Sequence, residues 1–121
     1  MKNQHIVCVS KKGRFVFPVG LRKRFLDSEF YISYGRDRYI QAYTPAEWEK
    51  LTDRVKGLPK EKQLNFRLLF SHTMHVELES GRRITIPEML REYAGISKYA
   101  VIKENDEGFE IWDFECFYER Q

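Results

Sequence analysis

The 121-residue chain is 42% hydrophobic and 15% aromatic, enough apolar material to fill a packed core and too much for a disordered tail. No apolar run approaches the ~20 residues that span a bilayer, and the start MKNQHIVCVSKKGR lacks the apolar stretch and cleavage site of a secretory signal, so a cytoplasmic protein without a membrane partner is expected. The net charge of +3 hides a polarity: residues 1–43 hold nine Lys and Arg against three Asp and Glu, whereas residues 74–121 hold six against eleven. Basic charge attracts phosphate and acidic protein surfaces alike, so its sign alone excludes neither partner.

In chain order, alternating residues 6–9 predict a strand. The turn Ser10-Lys11-Lys12-Gly13-Arg14 follows, and a second alternating stretch completes a hairpin. Pro18 suits the first position of a short helical run ending near Leu26. Residues 30–34 and 38–43 read as two more strands around Gly35-Arg36-Asp37. Thr44-Pro45-Ala46-Glu47 resembles a capping box opening a helix toward Lys56, which Gly57 breaks. Pro59 opens a further helix over residues 60–71, with Leu64, Leu68 and Phe70 among its apolar positions. Residues 75–79, the turn Glu79-Ser80-Gly81-Arg82-Arg83 and the stretch after it repeat the hairpin. Pro87 then opens a helix closed by Gly95, and strands over 99–103 and 109–113 flank Asn105-Asp106-Glu107-Gly108.

The second half repeats the first. A shift of 69 residues lays 6–48 on 75–117 without a gap, bringing Val7, Arg14, Pro18, Leu21, Arg22 and Ser28 onto Val76, Arg83, Pro87, Leu90, Arg91 and Ser97. Phe15 falls on Ile84, Phe17 on Ile86, Phe30 on Tyr99 and Ile32 on Val101. The pattern is strand, strand, helix, strand, strand, written twice in a β-rich α+β fold. Units of ~45 residues are too short to bury a good core alone. The expected solution is a first unit over 1–48 and a second over 74–121, interleaved into one pseudo-symmetric barrel, with residues 49–73 as a helical connector.

Candidate chemistry is sparse. Cys8 and Cys116 sit in apolar stretches and read as buried, reduced thiols. His72 and His75, with Glu77 and Glu79 behind them, straddle a helix-to-strand junction, which breaks the shared-face spacing a metal needs, so no metal site is expected. Glu104 and Asp106 fall in a solvated turn, and no phosphate-binding or dinucleotide glycine pattern occurs. No catalytic residue, cofactor or small-molecule substrate is expected, and the chain does not read as an enzyme. The stronger signal is the pair of basic turns in register. Lys11, Lys12 and Arg14 in the first and Arg82 and Arg83 in the second can set Arg forks against phosphates and guanine edges.

The segments SKKGRFVFPVGLRKRF and ESGRRITIPEMLREYAGI, the tails AYTPAEWEKL and EIWDFECFYE, and the central RLLFSHTM together resemble the MraZ family of the AbrB-like swapped-hairpin superfamily. The resemblance implies a swapped-hairpin (double-split) β-barrel. It also implies a nucleoid-associated transcriptional regulator that binds double-stranded DNA at short direct repeats upstream of the division and cell-wall gene cluster, as a ring-shaped homo-oligomer. By position it makes Lys11, Lys12, Arg14, Arg82 and Arg83 the DNA contacts, supported by Ser10, Gly13, Glu79 and Gly81. The chain departs from the family where aspartate is expected, with Ser10 in the first turn and Glu79 in the second; Glu79 is expected to brace Arg83. Arg22 and Arg91 read equally well as packing residues. The competing reading is a protein-interaction module of the antitoxin-like barrel type with no direct DNA role.

Overall fold

The computed structural model describes residues 4–21, 25, 28–80 and 82–119. The chain is α+β. Six strands form one antiparallel sheet in the order β1 (Gln4–Cys8), β7 (Tyr99–Asn105), β8 (Gly108–Asp113), β4 (Ile40–Tyr43), β3 (Glu29–Tyr34) and β5 (Met74–Glu77). A separate two-stranded ribbon joins β2 (Arg14–Val16) to β6 (Arg83–Thr85).

Four of the six ladders among the described residues cross between the repeated halves, while β3–β4 and β7–β8 stay within one half each. β1 pairs with β7, β5 with β3, β2 with β6 and β4 with β8. The expected hairpin within each half holds only at its turn, where Ser10 N–H donates to the Arg14 carbonyl at 2.9 Å and Glu79 bridges Arg83. Beyond the turn the strands part. The reason is burial: a lone hairpin leaves one apolar face in water, whereas exchange lets Phe15, Phe17, Ile84 and Ile86 enter a common core at 2% exposure or less.

The ladders reveal a pseudo-twofold axis. Phe15 pairs with Ile84 and Gln41 with Glu110, and each pair consists of residues related by the 69-residue shift. β3 and β7 depart from it. Phe30 and Ile32 face the main core, but so do Ala100 and Ile102, while Tyr99 is 45% exposed and Val101 joins a second cluster with Trp112 and Phe117. The true equivalents are therefore Phe30 with Ala100 and Ile32 with Ile102. The gapless alignment fails here by one residue, because one more residue separates Leu90 from β7 than separates Leu21 from the matching point of β3. A one-residue slip exchanges the two faces of a strand.

An aromatic knot of Phe17, Phe25, Phe30 and Phe109 fills the centre, with ring centroids 5.1 Å apart for Phe30 and Phe109. Cys8 does not join it. With Val7 and Val9 facing inward, the strand's period of two turns Cys8 outward, so the expected burial is wrong for this residue. Cys116 is half-buried on α5 (Phe114–Glu119).

The first helix, α1 (Pro45–Lys56), follows its sequence signals: Glu47 N–H donates to Thr44 Oγ1 at 3.2 Å, and Gly57 ends it. The next segment does not stay helical throughout. A 3-10 turn at Leu64–Phe66 separates α2 (Lys60–Gln63) from α3 (Arg67–Ser71), and this change of pitch leaves Leu64 and Leu68 exposed. In the second half α4 (Glu88–Ala94) ends at Gly95 in the left-handed region, φ +66°. In the first half the described part of the predicted helical run is the turn Val19–Leu21 and Phe25, whose N–H donates to the Leu21 carbonyl at 3.1 Å. The sequence reading missed α5, which is the repeat of α1. Asp113 Oδ2 accepts from Cys116 N–H at 3.3 Å, as Thr44 does for Glu47. No helix among the described residues is long and apolar enough to cross a membrane.

Candidate nucleic-acid interface

The two basic turns share one backbone plan. In the first, Gly13 N–H donates to the Ser10 carbonyl at 2.9 Å; in the second, Arg82 N–H donates to the Glu79 carbonyl at the same distance. Both plans need a residue with positive φ, supplied by Gly13 at +84° and by Arg82 at +58°. A glycine adopts this conformation freely, whereas an arginine there is strained. Ser10 replaces the aspartate of the family pattern without loss of the turn, because its Oγ accepts from Arg14 N–H at 3.1 Å. Gly81 lies outside the described residues.

Each turn is pinned by the other half of the chain. The Gly13 carbonyl accepts from Ile86 N–H and the Arg82 carbonyl from Phe17 N–H, both at 2.8 Å. Arg91 adds a side-chain clamp on the first turn. Its Nε donates to the Ile86 carbonyl at 3.0 Å and its Nη1 to the Lys11 carbonyl at 3.2 Å. The packing role read for Arg91 is thus a cross-unit brace, while Arg22 lies outside the described residues.

The β2–β6 ribbon turns Phe15 and Ile84 into the core and leaves Arg14, Val16 and Arg83 exposed. An open groove of about 460 Å³ runs over this face, lined by Lys11, Lys12, Arg14 and Arg83 together with Cys8 and Val16. Four of the five predicted cationic contacts, from both halves, meet there; Arg82 does not line it.

Glu79 behaves differently from expectation. Its carboxylate lies 3.8 Å from Arg14 Nε and accepts a hydrogen bond from Thr85 Oγ1 at 3.0 Å. Strand exchange sets Thr85 directly opposite Arg14, so Glu79 meets the arginine of the other half. Among the described residues no ion pair engages Arg83. The Arg14–Glu79 pair is about half exposed on both sides, where such pairs contribute little stability. Thr85 is a supporting residue the sequence reading missed, and Arg91, read there as a packing residue, clamps the turn of the other half. The Arg91 contact with Lys11 exists only through pairing between halves, whereas Thr85 holds Glu79 within its own half.

His72 and His75 are separated as the junction argument predicts. His72 caps α3, with Nδ1 2.9 Å from the Leu68 carbonyl oxygen, while His75 stands on β5 beside Tyr31. On another face, Tyr34, Arg36, Tyr39, Gln41 and Tyr43 line a smaller cavity of about 290 Å³. Burial, then the nearby Glu107 charge, pushes the Tyr43 hydroxyl up to about 12.

Residues 69–120 match the family described as "MraZ protein, putative antitoxin-like". Over these residues the chain is similar to MraZ proteins. The matched span runs from α3 through α5 and includes the second basic turn, Arg91 and the strand that pairs with β2. Among solved structures, the solution structure of PHS018 from Pyrococcus horikoshii is similar at 16% identity and a TM-score of 0.38, over 90% of this chain and 85% of that one.

Proposed function

We propose that this MraZ-like chain is a sequence-specific, DNA-binding transcriptional regulator rather than an enzyme. The observation that carries the reading is the convergence of Lys11, Lys12 and Arg14 from one half with Arg83 from the other in one groove on a two-stranded ribbon. A ribbon of this kind fits the major groove, where lysines neutralise phosphates and arginine forks reach guanine O6 and N7. The backbone pins and the Arg91 clamp hold the cations on a rigid frame before DNA arrives, which reduces the entropic cost of binding.

In this reading the ladders between halves make a swapped-hairpin barrel of two units, 1–48 and 74–121, joined through 49–73. Two ribbon turns per chain give weak individual contacts, so several chains act together as a ring on short direct repeats, in the cytoplasm at the nucleoid. The targets follow from the resemblance: repeats upstream of the division and cell-wall gene cluster.

The family description also favours an antitoxin-like role in gripping a protein partner. Fluorescence anisotropy on a duplex from the region upstream of the chain's own gene, against a scrambled duplex, separates the two. Preferential binding that Arg83→Ala erodes by about 1–3 kcal/mol supports base reading. Absence of binding to either duplex at low salt leaves the protein-partner role.

A further inference from the structure

We propose that Glu29, His75 and Glu77 form a divalent-cation site on the β3–β5 edge of the sheet, suited to Zn²⁺. Antiparallel pairing puts Glu29 directly opposite Glu77 and Tyr31 directly opposite His75. The period of two then sets all four side chains on the outer face, while Phe30 and Val76 pack on the core side. One potential ligand atom from each of Glu29, His75 and Glu77 lies within 4.8 Å of the others.

The spacing is that of a chelate. His75 Nε2 stands 3.4 Å from Glu29 Oε1. Two ligands bound tetrahedrally to zinc at ~2.1 Å lie roughly 3.4 Å apart, so this pair already has the required bite. The Glu77 carboxylate, within 4.8 Å of both, is near enough to serve as the third ligand, which leaves a fourth position for water. Two carboxylates directly opposite across a ladder repel each other, a cost that a bound cation reverses. The His75 ring is held against Tyr31, centroids 5.0 Å apart, and Tyr31 is stacked on Trp48 at 5.4 Å. A stacked wall of this kind fixes the imidazole, as the outer shell of a metal site must. Glu29 belongs to the first half of the chain and the other two to the second, so a cation here would tie the exchanged β5 to its host strand. Sequence spacing could not show this, since only the β3–β5 ladder brings Glu29 to the histidine.

The test is calorimetric titration of the chelator-treated full chain with Zn²⁺, beside thermal melts with and without the ion. The wild type is expected to bind saturably and melt higher with Zn²⁺, since a ligand bound only to the folded state stabilises it. His75→Ala and Glu77→Gln should lose that binding, whereas His72→Ala should keep it. Without metal, Glu77→Gln should melt at or above the wild type, because it relieves the repulsion with Glu29. That sign distinguishes a site from a merely structural glutamate and remains readable if His75→Ala folds poorly. No saturable binding by the wild type, or equal binding by the wild type and Glu77→Gln, overturns the proposal.

Discussion

Gly13 and Arg82 occupy the same place in the two turns, yet the backbone treats them differently. At Gly13 an added Cβ would lie 2.6 Å from the Ile86 carbonyl oxygen, and φ is +84°. Gly13→Ala should therefore lower stability by about 1–3 kcal/mol in urea titration, with disruption of the first turn's geometry. Arg82 carries the matching strain without glycine, at φ +58°. Arg82→Gly should raise stability by about 0.5–1 kcal/mol, the relief of a left-handed side chain less the entropy glycine adds to the unfolded chain. If the same variant also binds DNA less well, the strain is retained for the cation. Glu79 makes a third case, since its carboxylate lies beside Arg14. Glu79→Gln should change stability by less than about 1 kcal/mol but strengthen binding to any duplex at low salt, because it removes a negative charge from the interface. Weaker binding by this variant would show that Glu79 orients Arg14 toward the DNA.

The elements depend on pairing between halves. β1 and β2 find their ladders in β7 and β6, and β5 finds its ladder in β3. Residues 1–48 or 74–121 expressed alone should lack cooperative unfolding by circular dichroism, and mixing the two should restore it. A cooperative melt for either half alone would contradict the exchanged arrangement. Much of this was legible in the sequence. Proline, glycine and alternation located both basic turns, α1 with its Thr44 cap and the repeat itself. Partner choice was not legible, because alternation fixes which face of a strand is buried and is silent on which strand lies beside it. The same gap hid the Arg14–Glu79 contact and the Arg91 clamp. The slip between β3 and β7 was hidden for another reason: Tyr99 and Val101 are as apolar as the residues they were matched to, and only burial reveals the parity. The outward side of Cys8 was readable in principle, since Val7 and Val9 flank it on a strand of period two.

For the whole molecule, the charge polarity and the groove point the same way. Basic residues of the first half lie at the groove, and the second half, with eleven acidic residues from 74 to 121, adds Arg83 to it. Light scattering at tens of micromolar protein should report a homo-oligomer weakened by salt, because the acidic half of one chain suits the basic half of the next. A monomer under those conditions contradicts the ring. The Tyr43 hydroxyl adds a pH limit. Its folded value of about 12 exceeds the unfolded value of about 10, so its contribution is complete below pH ~10 and is lost as pH rises toward ~12. Tyr43→Phe should remove that part of the alkaline decline in melting curves. The central claim, that the ribbon groove is a DNA surface, is tested most directly by the salt dependence of duplex affinity for the wild type and for Lys11→Ala with Lys12→Ala. The wild type should bind with a steep linear fall of log affinity against log salt. The double variant should bind more weakly, with a slope shallower by about 0.9 for each phosphate it no longer neutralises. A slope unchanged by the double substitution, or wild-type affinity independent of salt, would contradict the assignment of this groove to DNA.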